Sequence, residues 1–230
     1  MMPRLEPRAR LDLHMHSTLS DGALPPDELL TRCAQQGLDY VAITDHDMAP
    51  VLSQGVHHLS GREVYLIHAT ELSAVYENYE LHLLVYFPGP MPQSFRDFLR
   101  SRVQERAERY DHALDRLQLE GMEPACDAAR AGERSITRQH LAQALVRAGH
   151  TPSTEAAFRH LIGNHTGNVP KVSLGWEEAI GIAREAGGLC SWAHPPMKKA
   201  EAWSGVFAEM GLVALESRRP GLGRHGRARL

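Results

Sequence analysis

Seven residues able to ligate a cation, His14, His16, Asp21, His46, Glu71, His82 and His194, each fall within or just beyond a short apolar run of the chain. Such runs read as strands. Side chains so far apart in the chain meet only if those strands form one curved sheet with the ligands gathered at one face, where strand-end loops vary freely. This requirement restricts the fold more than any other feature. Histidine is also in excess: the chain has 14, as many as its Phe, Tyr and Trp together. Metal or proton chemistry leaves such an excess behind.

The first of these stretches is DLHMHSTLSDG, Asp12 to Gly22. Strand alternation puts Asp12, His14 and His16 on one face and Leu11, Leu13 and Met15 on the other, with Asp21 following at a turn. Next, Pro25 to Glu28 opens a helix ended by Gly37, and Leu38–Ile43 reads as a buried strand delivering Thr44, Asp45, His46 and Asp47. A helix is expected over Met48–Ser60. Strands follow at Val64–Ile67, leading to Glu71, and at Leu81–Phe87, carrying His82. From Pro88 to about Pro170 the pattern turns helical: Phe95, Leu99, Val103, Ala107, Tyr110, Leu114 and Leu117 recur at helical spacing, and helices are expected at Thr137–Ala148 and Ser153–Ile162. The β/α rhythm returns with a helix at Trp176–Ala186, a strand at Leu189–Ala193 presenting His194, a helix at Lys199–Met210 and a last strand, Leu212–Leu215, before Glu216.

A net charge of -3 over 230 residues argues against a protein that grips long nucleic acid by charge alone. Cys33, Cys126 and Cys190 are too scattered for a disulfide framework or a Cys-x-x-Cys zinc site, so a reducing cytoplasm is expected. No window approaches a membrane span, and the N-terminus lacks the apolar run of a signal peptide.

Mixed His and carboxylate ligation without thiolate suits manganese, zinc or iron. Clustered divalent ions would bring a bridging water to near-neutral pKa and neutralise phosphate oxygens, which is the equipment for hydrolysing a phosphate ester. Asp12, Asp45 and Asp47 are expected to orient ligands rather than bind metal. Arg138, Lys171 and Lys198 are candidate phosphate cations. Arg138 and His140, in ITRQH, stand where a helical lid would start, and arginine offers a planar fork matched to phosphate. His57, His58, His68, His112, His150, His160, His165 and His225 are read as structural or surface residues.

Taken together, DLHMHSTLSDG, ITDHD, ATELS, LHLL, TRQH and CSWAHP resemble the successive signatures of the PHP (polymerase and histidinol phosphatase) family, in the same order and over nearly the whole chain. The helical stretch between LHLL and AHP resembles the branch that includes nucleoside 3′,5′-bisphosphate phosphatases and enzymes trimming short RNAs from the 5′ end. The resemblance implies an α/β fold, a distorted (β/α)7-type barrel with a helical insertion. It is divided as residues 1–87 and 171–217 for the barrel, 88–170 for the insertion and 218–230 for a basic, disordered tail. It further implies a trinuclear centre of up to three divalent ions, Mn²⁺ first and Zn²⁺ or Fe²⁺ as alternatives. His14 and His16 match ligands of the first ion, Glu71 a bridging carboxylate, Asp21 and His46 ligands of another, and His82 and His194 ligands of the remaining ion. His194 or His82 is also a candidate proton donor if it is not a ligand. Arg138 and His140 match the motif that lies against the substrate phosphate, and Lys171 is carried over with them. The implied partner is a small phosphorylated nucleotide or a short oligonucleotide.

The sequence departs from the family pattern at one point. Family members end on a strand carrying Asp-x-His, whereas after Glu216 this chain reads SRRPGLGRHGRARL, with no acid. About six strands are expected, and roughly 150 residues remain for a barrel that typically takes about 250. The expectation is therefore a barrel incomplete at its C-terminus, through truncation or because a partner fills the gap. His225 is a conceivable substitute ligand. The alternative to a phosphoesterase is a non-catalytic remnant that binds metal or nucleotide.

Overall fold

The computed structural model describes residues 8–217; the expected basic tail and His225 lie outside the described residues. Among the described residues there are seven strands: β1 (Leu11–Met15), β2 (Tyr40–Ile43), β3 (Gly55–Leu59), β4 (Arg62–Tyr76), β5 (Tyr79–Tyr86), β6 (Leu189–Trp192) and β7 (Ala214–Leu215). The helices are α1 (Pro26–Gln35), α2 (Gln93–Leu117), α3 (Asp127–Arg130), α4 (Arg138–Arg147), α5 (Thr154–Ala157), which runs on as a π-turn over Phe158–Ile162, α6 (Trp176–Glu185) and α7 (Met197–Met210). No helix among the described residues is long and apolar enough to cross a membrane.

The strands form one sheet in the order β1-β2-β4-β5-β6-β7, with β3 flanking β4. It curls into a half-barrel whose two ends are β1 and β7. Strands β1, β2 and β4 are mutually parallel, as are β6 and β7, while β5 runs antiparallel to both β4 and β6. That reversal matters for the site. The start of β5, with His82 opposite Ser73, lies at the same end of the sheet as the C-terminal halves of its neighbours.

Two expectations fail here for one reason. The helix expected over Met48–Ser60 is instead a loop and the strand β3, paired with the first half of β4. Ser60 and Gly61 both take positive φ, 52° and 73°, and Glu77 and Asn78 do the same at 44° and 68°. Both pairs thus make two-residue hairpin turns whose twist matches the flanking strands. With these hairpins the chain departs from strict β/α alternation, and β4 runs for 15 residues rather than the short Val64–Ile67.

The sheet is covered on its outer side by two apolar clusters. Leu30, Cys33 and Ala34 of α1 pack on Val41, Val64 and Leu66. Farther along, Trp176, Trp203 and Phe207 of α6 and α7 pack on Leu72, Leu83, Val85 and Trp192. The opposite face carries Ala42, Ile67 and Ala69 with Leu13 and Tyr86. The alternation expected for β1 is interrupted: its register with β2 shifts between Asp12 and Met15, so Leu13 joins this inner layer while Met15 packs outward near Cys33. A bulge of this kind re-aims side chains next to functional sites.

Between β5 and α6 every element is helical. The two halves of α2 belong to different cores: Phe95 and Leu99 join the sheet's cluster, whereas Ala107, Tyr110 and Ala113 pack with Leu141, Leu145 and Ile162. One helix thus carries the helical block onto the sheet.

Candidate metal centre

The loop after β1 is folded by one buried carboxylate. Asp45 accepts from Ser17 N (2.7 Å) and from the Ser17 and Ser20 hydroxyls (2.5 and 2.6 Å). A Cβ on Gly22 would stand 1.9 Å from the His16 carbonyl oxygen, so only glycine lets the loop double back so closely. This closure brings Asp21 Oδ2 to 3.6 Å from His46 Nε2 and Asp21 Oδ1 to 3.7 Å from His16 Nδ1.

Ring orientation follows from the same bonds. Because the Ser20 hydroxyl donates to Asp45, at His16 Nδ1 (3.3 Å) it acts as acceptor, which puts hydrogen on Nδ1 and leaves Nε2 facing inward. His14 is arranged alike, its Nδ1 3.3 Å from Glu216 Oε1 and its backbone N–H on Asp12 Oδ1. The two Nε2 atoms then lie 3.3 Å apart, at 3.2 and 3.1 Å from Glu71 Oε2.

Glu71 is the hub and is 1% exposed. Its Oε2 also faces His46 Nδ1 at 3.4 Å, and its Oε1 meets His82 Nδ1 at 3.0 Å and His194 Nε2 at 3.1 Å. Five imidazoles therefore surround one carboxylate. Both Glu71 Oε2 and His46 Nδ1 are buried without a hydrogen-bond partner. An orphaned oxygen beside inward-facing nitrogens is a set of lone pairs that only cations reconcile. Burial alone pushes His14 down, but Glu216 and Glu71 outweigh it and lift the ring to about 10. Burial drives His46 well below its ordinary value, and it raises Glu71, which His46, His82 and the other rings nevertheless hold well below the carboxylate range.

The donors fall into three overlapping groups of ion-binding size: His14, His16 and Glu71; His16, Asp21 and His46; and His46, Glu71 and His82. Nitrogen and carboxylate oxygen without thiolate fits a borderline divalent ion. His194 joins the cluster through His82, its Nε2 3.1 Å from His82 Nδ1. It is held at φ 33°, a conformation few non-glycine residues adopt, immediately before Pro195.

A pocket of about 680 Å³ opens beside Asp21, His46 and His82 and is lined beyond them by Glu80, Arg106, Arg109, Thr137, Arg138, Phe158 and Asn164. Arg138 begins α4, directly after the N-cap Thr137, so the helix N-terminus and a guanidinium face the same space. Arg138 binds Glu80 Oε1 (2.8 Å) and Asn164 Oδ1 (2.5 Å). Arg109 grips the other oxygen of Glu80 at 2.5 Å. Burial raises the Glu80 carboxyl, but Arg138 and Arg109 overcome this and hold it at about 2.

The remaining candidates from the sequence lie elsewhere. His140 does not line this pocket: its Nδ1 accepts the Thr137 N–H at 3.0 Å, closing the N-cap of α4, and its Nε2 meets Arg134 in a neighbouring cavity of about 400 Å³. Lys171 lines a separate cleft with Arg102 and His112, and Lys198 is exposed near the start of α7. Of the expected orienting acids, Asp45 acts on His16 through Ser20, whereas Asp47 binds Arg106 and Ser73 N and touches no ligand ring. His57, His68, His150 and His165 hydrogen-bond backbone carbonyls, as structural histidines do. Sequence reasoning missed Glu216, Glu80, Arg106 and Arg109. The acids stand near strand ends, and both arginines flank the apolar stripe of a helix read only for that stripe.

A curled α/β half-barrel with a histidine-rich, carboxylate-bridged centre at one end of its sheet defines a metal-binding barrel protein. Residues 12–89 match the PHP domain model. The 5'-3' exoribonuclease Rnm of Escherichia coli is 33% identical over 80% of this chain and 64% of its own length. A 5'-3' exoribonuclease of Haemophilus influenzae is 32% identical over 81% of this chain and 69% of its own. A 3',5'-nucleoside bisphosphate phosphatase of Chromobacterium violaceum is 29% identical over 81% and 67%. Among solved structures, a Bifidobacterium adolescentis protein described as a metal-dependent phosphoesterase superposes with a TM-score of 0.74 at 25% identity, covering 97% of this chain and 82% of that one. The chain belongs to the PHP family. It spans 64% of the length of the E. coli relative.

Proposed function

We propose that this chain hydrolyses phosphate esters of small phosphorylated nucleotides, nucleoside 3′,5′-bisphosphates or the 5′ ends of short oligonucleotides, at divalent ions gathered around Glu71. The observation that carries the reading is the orphaned, buried pair Glu71 Oε2 and His46 Nδ1, set behind the pocket that His46, Arg138 and the N-terminus of α4 line. His14, His16, Asp21, His46, Glu71, His82 and His194 would hold up to three ions, Mn²⁺ before Zn²⁺ or Fe²⁺. Such ions supply Lewis acidity, activating water and neutralising phosphate oxygens.

The chain's own groups do the rest. Arg138 turns its fork toward a phosphate, sharing it with Glu80, and the positive end of the α4 dipole faces the same place. Phe158 and Asn164 border the space left for the nucleoside. His194, facing Glu71 Oε1 beside His82, serves as a ligand in this reading, and proton delivery to the leaving group falls to water. All three cysteines are free thiols, in keeping with a cytoplasmic setting.

Phosphate release from adenosine 3′,5′-bisphosphate in Mn²⁺, measured beside 5′ trimming of a short RNA, tests the reading. His14→Ala and Glu71→Ala should abolish both. Folded, metal-loaded protein inert on every phosphoester would sink it in favour of a metal- or nucleotide-binding remnant.

A further inference from the structure

Glu216 follows β7, at one end of the sheet, and His14 belongs to β1, at the other. Their side chains meet there: Glu216 Oε1 lies 3.3 Å from His14 Nδ1. The other oxygen, Oε2, accepts the backbone N–H of His194 at 2.6 Å. That N–H belongs to the residue held at φ 33°. One carboxylate thus touches both a ring of the candidate centre and the strained turn that presents another.

The geometry of His14 gives this contact its meaning. Its Nε2 faces Glu71 Oε2 at 3.2 Å, so Nδ1 is the outer nitrogen. A carboxylate beyond Nδ1 places the hydrogen there, aims the ring and leaves the Nε2 lone pair for a cation. Glu216 itself belongs to none of the three ion-sized donor groups. Both of its oxygens are engaged by donors of the protein.

We propose that Glu216 is the positioning residue of the metal centre. Its two oxygens set the tautomer and aim of His14 and the backbone turn of His194 together, and in doing so they tie the two ends of the open sheet to the ions. This rests on the reading of the Glu71 cluster as a metal site. The contact needs two acceptors. A carboxamide has one, so Glu216→Gln keeps the shape yet must present N–H to either the His14 ring or the His194 backbone.

The test titrates metal-free wild type, Glu216→Gln and Glu216→Ala with Zn²⁺ against a chromogenic chelator. Ions are counted at saturation, and ring ¹⁵N signals of the zinc-loaded proteins are recorded. Expected is an unchanged ion count, affinity weakened roughly 10- to 100-fold in the Gln variant, and a His14 signal protonated at Nδ1 in wild type but mixed between tautomers in the variant. Circular dichroism of the near-isosteric Gln protein separates this loss from misfolding should the Ala protein fail to fold. Wild-type affinity in Glu216→Gln overturns the proposal, as does one ion fewer at unchanged affinity for the rest, which would make Glu216 a ligand. A wild type that takes up no zinc sinks the metal reading instead.

Discussion

Arg106 and Asp47 form a buried ion pair, Nε to Oδ2 at 2.5 Å, that fastens α2 to the loop following His46. Asp47 is wholly buried at φ 51°, and it also accepts Ser73 N at 3.0 Å, while Arg106 reaches the Ser73 hydroxyl at 2.6 Å. Breaking one side of such a pair strands a charge in the interior. Arg106→Met should lower unfolding free energy by about 3–5 kcal/mol in urea titrations. Adding Asp47→Asn should restore part of that loss. Equal stability of wild type and single mutant would mean that the pair does not hold the two parts together.

Glu80 gives the fold an acid-sensitive contact. Its folded carboxyl sits at about 2 against an ordinary 4.5, so its contribution is complete above the unfolded value and disappears as pH falls from about 4.5 toward 2. A shift of that size corresponds to about 3 kcal/mol. Thermal melts between pH 6 and 2 should therefore fall more steeply for wild type than for Glu80→Gln. Parallel curves would contradict the assignment.

In the proposed function Arg138 acts on substrate rather than on the ions. Arg138→Ala should reduce kcat/KM on a phosphorylated nucleotide by roughly 10- to 150-fold, the loss of a charged hydrogen bond of about 1.5–3 kcal/mol. Metal affinity should not change. Lysine should rescue only partly, since it lacks the fork that spans Glu80 and a phosphate. A variant that loses metal instead would move Arg138 into the support of the centre.

Gly22 tests whether the loop geometry sets the Asp21 position. In Gly22→Ala the new methyl collides with the His16 carbonyl, the loop must open, and Asp21 retreats from His16 and His46. Expected are a destabilisation of about 1–3 kcal/mol and fewer bound ions per chain by elemental analysis. An unaltered ion count in the folded variant would exclude Asp21 as a ligand.

Much of this architecture is legible in the sequence. The apolar spacing of α2 and the β-branched run Tyr40–Ile43 report burial directly, because one face or both must leave water. Strand β3 is hidden from a local reading because Met48–Ser60 has the length of a helix, whereas the stronger signal, Ser60-Gly61 between two short runs, stands at its far end. His140 stands two residues beyond Arg138, about 200° around α4, and its ring caps the helix, a placement that the ITRQH motif by itself does not give.

The sequence by itself determined which donors exist and that they stand within or just beyond strands, since residue chemistry and hydrophobic period are local properties. Only the tertiary structure decided which of them meet. The curl of the sheet brings β7 back toward β1 and sets Glu216 against His14, the reversal of β5 carries His82 to the common end, and the return of α2 buries Glu80 and Asp47 under arginines. Those juxtapositions depend on how elements distant in the chain pack, which no single window of residues encodes.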